Sequence, residues 1–288
     1  MVPLITPFDE HDEVDEKTLR RLVDWQIESG THCISVEGTT GEPSALSLEE
    51  REEILSVTVD AVRGRRPVVA GTGTNNLRET LRLTRSAESA GVDAALLIVP
   101  YYNRPSQDGL YDYFGRVAQS TTLPIIIYNI PGRTATNLEP STLKRLKASH
   151  RNIVGVKEAN RDLDQASKVL FECGRDFLLY SGIESLCFPM LAIGGSGHVS
   201  ATANILPAEV ADLYNYSARG EWDKARDLHF TLLPINEALF WETNPVPLKA
   251  ALGMMGKITP ALRSPLYPLS EEKKVRLKEV MKRYGLLQ

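Results

Sequence analysis

The chain has 288 residues, 42% of them hydrophobic and 24% charged, with a formal net charge of −4. That is ordinary globular composition, with enough apolar residues for a sizeable core and too many for a disordered segment. The mild acidity, with Lys and Arg interspersed among Asp and Glu, excludes a basic face for nucleic acid or an anionic membrane.

Along the chain, short β-branched runs alternate with longer amphipathic ones. Residues 2–5 predict a first strand, and 15–29 a helix with Leu19, Leu22, Val23 and Ile27 on one face. Residues 33–36 are a second strand, ending in Glu37-Gly38-Thr39-Thr40-Gly41-Glu42. A helix follows from Ser47, which forms a capping box with Glu50. Residues 67–70 are a third strand, and Asn75 or Asn76 caps the next helix, to about residue 90. A fourth strand at 94–99 leads through Pro100-Tyr101-Tyr102-Asn103-Arg104-Pro105 into a helix at 106–119. A fifth at 123–128 leads through Asn129-Ile130-Pro131-Gly132-Arg133-Thr134, with a Pro-Gly turn, into a helix at about 139–148. The sixth begins at Ile153 and ends in Lys157, followed by a helix at 164–173. The seventh, 177–181, precedes a helix near 184–193; the eighth, 197–200, opens into Ala201-Thr202-Ala203-Asn204 before a helix from Pro207.

Eight strand–helix repeats at near-even spacing predict a parallel α/β fold closed as a (β/α)8 TIM barrel. A doubly wound sheet is the weaker reading, since no GxGxxG stands at the first strand–helix junction. Residues 221–237, 247–255 and 270–284 read as further helices. The expected organisation is a catalytic barrel over residues 1–220 and a helical appendage over 221–288, packed on the barrel or on a neighbouring subunit.

No apolar run approaches the roughly 18 residues that cross a bilayer. The opening Met1-Val2-Pro3-Leu4-Ile5-Thr6-Pro7 has no charged or apolar signal region. Cys33, Cys173 and Cys187 form no CxxC pair, and the five histidines form no HxxxH or HxH arrangement. These features predict reduced thiols, a cytoplasmic location and no metal site.

Lys157 is the informative residue. A β-branched run ending in a lysine reads as a buried parallel strand with an inward amine at its carboxyl end. Two readings stand open: a lysine ion-paired with a carboxylate such as Glu158, or an amine nucleophile forming a Schiff base with a carbonyl substrate. Barrels of this kind carry their chemistry in the loops after the strands, where this chain concentrates unusual sequence. Thr39 and Thr40, flanked by glycines, suit a small carboxylate; the alternative is an ordinary glycine-rich turn. Tyr101, Tyr102 and Tyr128 bring phenols, Arg133 a guanidinium that clamps a carboxylate, and Gly194 to Gly197 are small enough to line a pocket with backbone. An amine, hydroxyls and a cation together suit a Schiff-base carbonyl enzyme.

These motifs resemble the dihydrodipicolinate synthase / N-acetylneuraminate lyase family. The matching stretches are Gly38-Thr39-Thr40-Gly41-Glu42, Pro100 to Pro105, Tyr128 to Thr134, Gly155-Val156-Lys157-Glu158, Gly194 to Asn204, and Glu242-Thr243-Asn244-Pro245-Val246-Pro247-Leu248-Lys249. Together they span nearly the whole chain. The Thr-Thr pair and the context of Arg133 resemble the synthase branch rather than the neuraminate lyases.

The resemblance implies a class I synthase needing no cofactor beyond a covalent Schiff base between Lys157 and pyruvate. The enamine formed there would attack L-aspartate 4-semialdehyde and give 4-hydroxy-tetrahydrodipicolinate, a step of diaminopimelate and lysine biosynthesis. Tyr128, Thr40 and Tyr102 would form a proton relay. Thr39 and Thr40 would hold the pyruvate carboxylate, Arg133 the aldehyde's carboxylate, and Val199 and Gly194 would line the pocket. The family pattern further implies a homotetramer, a dimer of dimers, with Tyr102 exchanged across the tight dimer. It implies a lysine-binding allosteric cleft at Ser44, Leu48, Arg51, Asn75, Glu79 and Tyr101. Leu48 and Arg51 stand where sensitive relatives often have histidines, which implies weak or absent feedback inhibition. The rival readings are another pyruvate-dependent aldolase or lyase, acting on N-acetylneuraminate, a 2-keto-3-deoxy sugar acid or 4-hydroxy-2-oxoglutarate, and a non-catalytic binding barrel.

Overall fold

The computed structural model describes residues Met1–Gln288. Eight strands hydrogen-bond in sequence order, from β1 to β8: Val2–Pro3, Ile34–Val36, Val68–Gly71, Ala94–Ile98, Ile125–Asn129, Ile153–Glu158, Leu178–Ser181 and Gly197–His198. Parallel pairing with a helical segment after each strand makes this a (β/α)8 TIM barrel with additional C-terminal helices. By contact density the chain divides into two compact units, Met1–Val68 with Ser200–Gln288, and Val69–Val199.

In the first unit, β1 pairs with β2 through Val2↔Ile34 and Pro3↔Ser35. Asn204 ties the segment after β8 to the N-terminus, accepting from Ile5 N at 3.2 Å and donating to Pro3 O at 2.9 Å. The helix Leu48–Val62 starts at the expected capping box: Ser47 accepts from the Glu50 backbone, and the Glu50 carboxylate accepts from Ser47 N–H. Each reciprocal bond satisfies a donor that a helix start would otherwise leave orphaned. The three C-terminal helices, Trp222–Ala238, Val246–Met254 and Glu271–Lys282, belong to this same unit. Leu232, Ile235, Leu248, Leu252, Leu277 and Met281 bury their apolar faces.

In the second unit the strands read as nearly continuous apolar runs because both faces are covered, as parallel sheets require. Leu97, Ile125, Ile127, Val156 and Leu179 are fully buried. Between β5 and β6 the register shifts, with Ile125 opposite Ile153 but Ile126 opposite Gly155. Val154 is the extra residue of this bulge. Gly155 is required there, because a Cβ would lie 2.5 Å from Leu178 O.

Two local expectations need correction. The Pro131-Gly132-Arg133-Thr134 stretch is a single helical turn, Pro131–Thr134, rather than an open Pro-Gly turn. Proline at the first helical position starts it, since its missing N–H is unneeded there. Strands one and eight are also shorter than expected, because Thr6 and Asn204 side chains take over backbone bonding at their ends.

Candidate active site

In the second unit, β5 and β6 run side by side with Tyr128 opposite Lys157 and Asn129 opposite Glu158. Side chains alternate across a strand, so one pair faces one side of the sheet and the next pair the other. Lys157 is 5% exposed, and its Nζ stands 3.9 Å from the centroid of the Tyr128 ring. No carboxylate lies within ion-pairing distance of that amine. Gly182, at the end of β7, leaves its stem room: a Cβ there would come within 3.0 Å of Lys157 Cε.

Glu158 points to the opposite face. Its Oε1 accepts from Asn129 Nδ2 at 2.9 Å and Asn160 N at 2.8 Å, and its Oε2 from Gln165 Nε2 at 3.0 Å. Burial raises the Glu158 carboxyl above its ordinary value, while the amide donors pull it back. Of the two readings left open for Lys157, pairing with Glu158 is therefore removed.

Around this pair, Val199 is buried and its N–H donates to Ser181 O at 2.8 Å. Arg133 is exposed on its helical turn. Tyr101 is half-buried, whereas Tyr102 is 90% exposed with a left-handed φ of 71°. A bulky residue held at positive φ is strained, and strain of this kind concentrates at functional loops. Gly194 departs from its expected place: it is exposed, at φ 102°, in the turn that enters β8 rather than after the strand. The order of glycines alone did not show on which side of so short a strand they would fall.

In the first unit, Thr39, Thr40 and Gly41 form one 3-10 turn after β2. It is held from several directions. Asn244 Nδ2 donates to the buried Thr40 Oγ1 at 2.9 Å. Thr6 Oγ1 donates to Gly41 O at 2.8 Å. Glu42 caps the turn in the left-handed region at φ 55° and pairs with the fully buried Lys249. Lys249 also donates to Ala261 O at 2.9 Å, and burial lowers its ammonium to about 8 against the pull of Glu42. Before the turn, Glu37 at φ 57° receives Arg51 through Nε at 2.9 Å and Nη2 at 2.8 Å. Burial pushes the Glu37 carboxyl up to about 7, against the effect of Arg51.

Of the residues expected for an allosteric cleft, Ser44 is exposed, and Leu48, Asn75, Glu79 and Tyr101 are partly exposed. Arg51 differs, being buried with its guanidinium committed to Glu37. Sequence reading gave no role to Asn244, Asn129, Glu37 or Lys249; Asn244 and Lys249 do lie in a stretch that carried the resemblance. Among the side chains no group of three or more His, Cys, Asp or Glu is arranged to hold a metal ion. No helix is long and apolar enough to cross a membrane.

The family described as "Dihydrodipicolinate synthetase family" matches residues 1–284. The chain belongs to that family. A curated 4-hydroxy-tetrahydrodipicolinate synthase of Thermus thermophilus is 49% identical over 286 residues, 99% of this chain and 95% of the relative. A solved dihydrodipicolinate synthase from Aquifex aeolicus superposes with a TM-score of 0.97 at 42% identity, covering 99% of this chain and 97% of that one. A chloride-inhibited dihydrodipicolinate synthase from Acinetobacter baumannii, solved in complex with pyruvate, has a TM-score of 0.97 at 38% identity, over 99% and 98% of the two chains. With such relatives over its whole length, the chain is an enzyme, a lyase of the dihydrodipicolinate synthetase family.

Proposed function

We propose that the chain is a 4-hydroxy-tetrahydrodipicolinate synthase of lysine and diaminopimelate biosynthesis, working through a Schiff base on Lys157 with no cofactor. The amine attacks the ketone carbon of pyruvate, and water leaves as the imine forms. Loss of a methyl proton gives the enamine, whose carbon attacks the aldehyde of L-aspartate 4-semialdehyde. The amino group of that substrate then displaces Lys157, closing the ring and freeing the enzyme. Tyr128, Thr40 and Tyr102 carry the protons; Thr39 and Thr40 hold the pyruvate carboxylate; Arg133 holds that of the aldehyde; Val199 lines the pocket.

The observation that carries this reading is Lys157 itself: an amine buried at a strand end, with no carboxylate partner, 3.9 Å from a phenol ring. Structural lysines in such places are paired, because an unpaired buried charge costs several kcal/mol. The exposure of Tyr102 and its strained backbone support its insertion into the site of a second copy, within a dimer of dimers. A cytoplasmic enzyme with reduced thiols completes the proposal.

Borohydride reduction in the presence of pyruvate tests it. The chain should gain the mass of one reduced pyruvyl adduct at Lys157, and Lys157→Ala and Lys157→Arg should gain none. Adduct formation at another residue would overturn the assignment. A coupled assay against a panel of aldehydes separates aspartate 4-semialdehyde from the sugar-acid and oxoglutarate substrates of other pyruvate aldolases.

A further inference from the structure

Behind the Lys157–Tyr128 pair lies a second pair that the proposed chemistry does not use. Asn129 and Glu158 are the next residues on the same two strands, opposite each other in the same register. Both are buried, at 0% and 1% exposure. Glu158 meets no Lys, Arg or His within ion-pairing distance; amide groups alone satisfy it. Asn129 Nδ2 reaches both its oxygens, at 2.9 and 3.1 Å. Asn129 Oδ1 in turn accepts from Leu138 N at 3.0 Å. Asn137 joins from the loop after β5, accepting from Asn129 Nδ2 at 2.9 Å and donating to Gln165 Oε1 at 2.7 Å. Every donor on Asn129 and every oxygen on Glu158 is thus used in one closed network.

A packing role would be served more cheaply by apolar residues, since a buried carboxylate without a cation is costly. Such a network gives direction instead: it holds one register between two strands and rejects others. Sliding β5 against β6 by one residue would set Asn129 against Lys157 and leave the carboxylate without its amide.

We infer that Asn129 and Glu158 are positioning residues that lock β5 to β6 from behind, holding the Tyr128 phenol over the Lys157 amine. The inference rests on the reading of Lys157 as the nucleophile. A shift of about 1 Å at reacting groups costs roughly 100-fold in rate, so a clamp of this kind acts on turnover more than on binding.

The test exchanges the two partners. Asn129→Asp sets carboxylate against carboxylate, and kcat is expected to fall about 100-fold, with the Michaelis constants of both substrates within about two-fold of the parent. Glu158→Gln sets amide against amide and should lose about 10-fold. The double variant Asn129→Asp/Glu158→Gln restores one carboxylate facing one amide in reversed order. Its kcat should exceed that of Glu158→Gln alone and recover to within about 10-fold of the parent, a non-additive coupling between contacting groups. A double variant no more active than Glu158→Gln overturns the inference, and this comparison survives if Asn129→Asp alone does not fold. Borohydride trapping of pyruvate by the parent reads the Lys157 assignment separately. Loss of trapping there would refute the chemistry, whereas failed rescue with trapping intact refutes only the clamp.

Discussion

Arg51→Met isolates the buried ion pair beneath the threonine turn. In the parent, Arg51 and Glu37 are buried to 5% and 3% exposure, with the guanidinium on Glu37 Oε2 at 2.8 and 2.9 Å. Methionine keeps most of the stem's packing but leaves Glu37 without its cation. Removing one member of a buried pair costs about 3–5 kcal/mol, chiefly the cost of the stranded charge. That cost depends on pH. Glu37 titrates near 4.5 in the unfolded chain and about 7 in the fold. The folded state therefore holds the extra proton between those limits, and the contribution of this group to stability falls as pH rises through the window. Without Arg51 the carboxyl keeps its proton to still higher pH, so the window extends upward. Between pH 7 and 8.5 the added loss is about 2 kcal/mol, at roughly 1.4 kcal/mol per pH unit. Thermal melts of parent and variant at pH 6 and 8.5 measure this. The variant's deficit should be larger at pH 8.5 by about 5 °C, at roughly 2–4 °C per kcal/mol for a chain of this size. Arg51→Met/Glu37→Gln should recover most of it. Equal deficits at both pH values, or no recovery in the double variant, would refute the reasoning.

Lys249→Met should cost about 3 kcal/mol by stranding Glu42, and because Glu42 caps the threonine turn, the pyruvate Michaelis constant should rise as well; melts and steady-state kinetics check both, and Lys249→Met/Glu42→Gln should restore the melt. Gly155→Ala places a Cβ 2.5 Å from Leu178 O and 2.7 Å from Leu178 Cβ; the crowding is expected to cost at least about 1–3 kcal/mol in chemical denaturation. Arg133→Ala, at an exposed position, should leave the melt within about 0.5 kcal/mol of the parent and raise the Michaelis constant for the aldehyde. An unchanged aldehyde constant with a raised pyruvate constant would exclude the clamp role.

Much of the fold was legible because its signals are local. Ser47 and Glu50 announce a helix start from a four-residue window, and Asn76 caps the helix Leu77–Ala90 by accepting from Arg78 N and Glu79 N. The strand ending in Lys157 was equally plain, as an apolar run broken by one amine. What stayed hidden depends on residues far apart in sequence. Asn244 meets Thr40 across 204 residues, and Asn129 meets Glu158 across 29; no periodicity encodes either meeting. Glu158 showed only as a plausible partner for its neighbour, because the face on which a strand residue falls depends on registers set elsewhere. Arg51 read as surface on a helix whose polar face seemed open, and only the left-handed turn at Glu37 brings a carboxylate within its reach.

The surplus residue at Val154 decides which chemistry β6 can perform. Between it and the strand's end, odd and even positions carry opposite functions: an amine on one side, an acid on the other. Losing or adding a single residue there would leave length, composition and hydropathy almost unchanged while presenting Glu158 where Lys157 now stands. For this family member, therefore, a one-codon deletion in that stretch is a far graver lesion than most substitutions, since it exchanges nucleophile for carboxylate in one stroke.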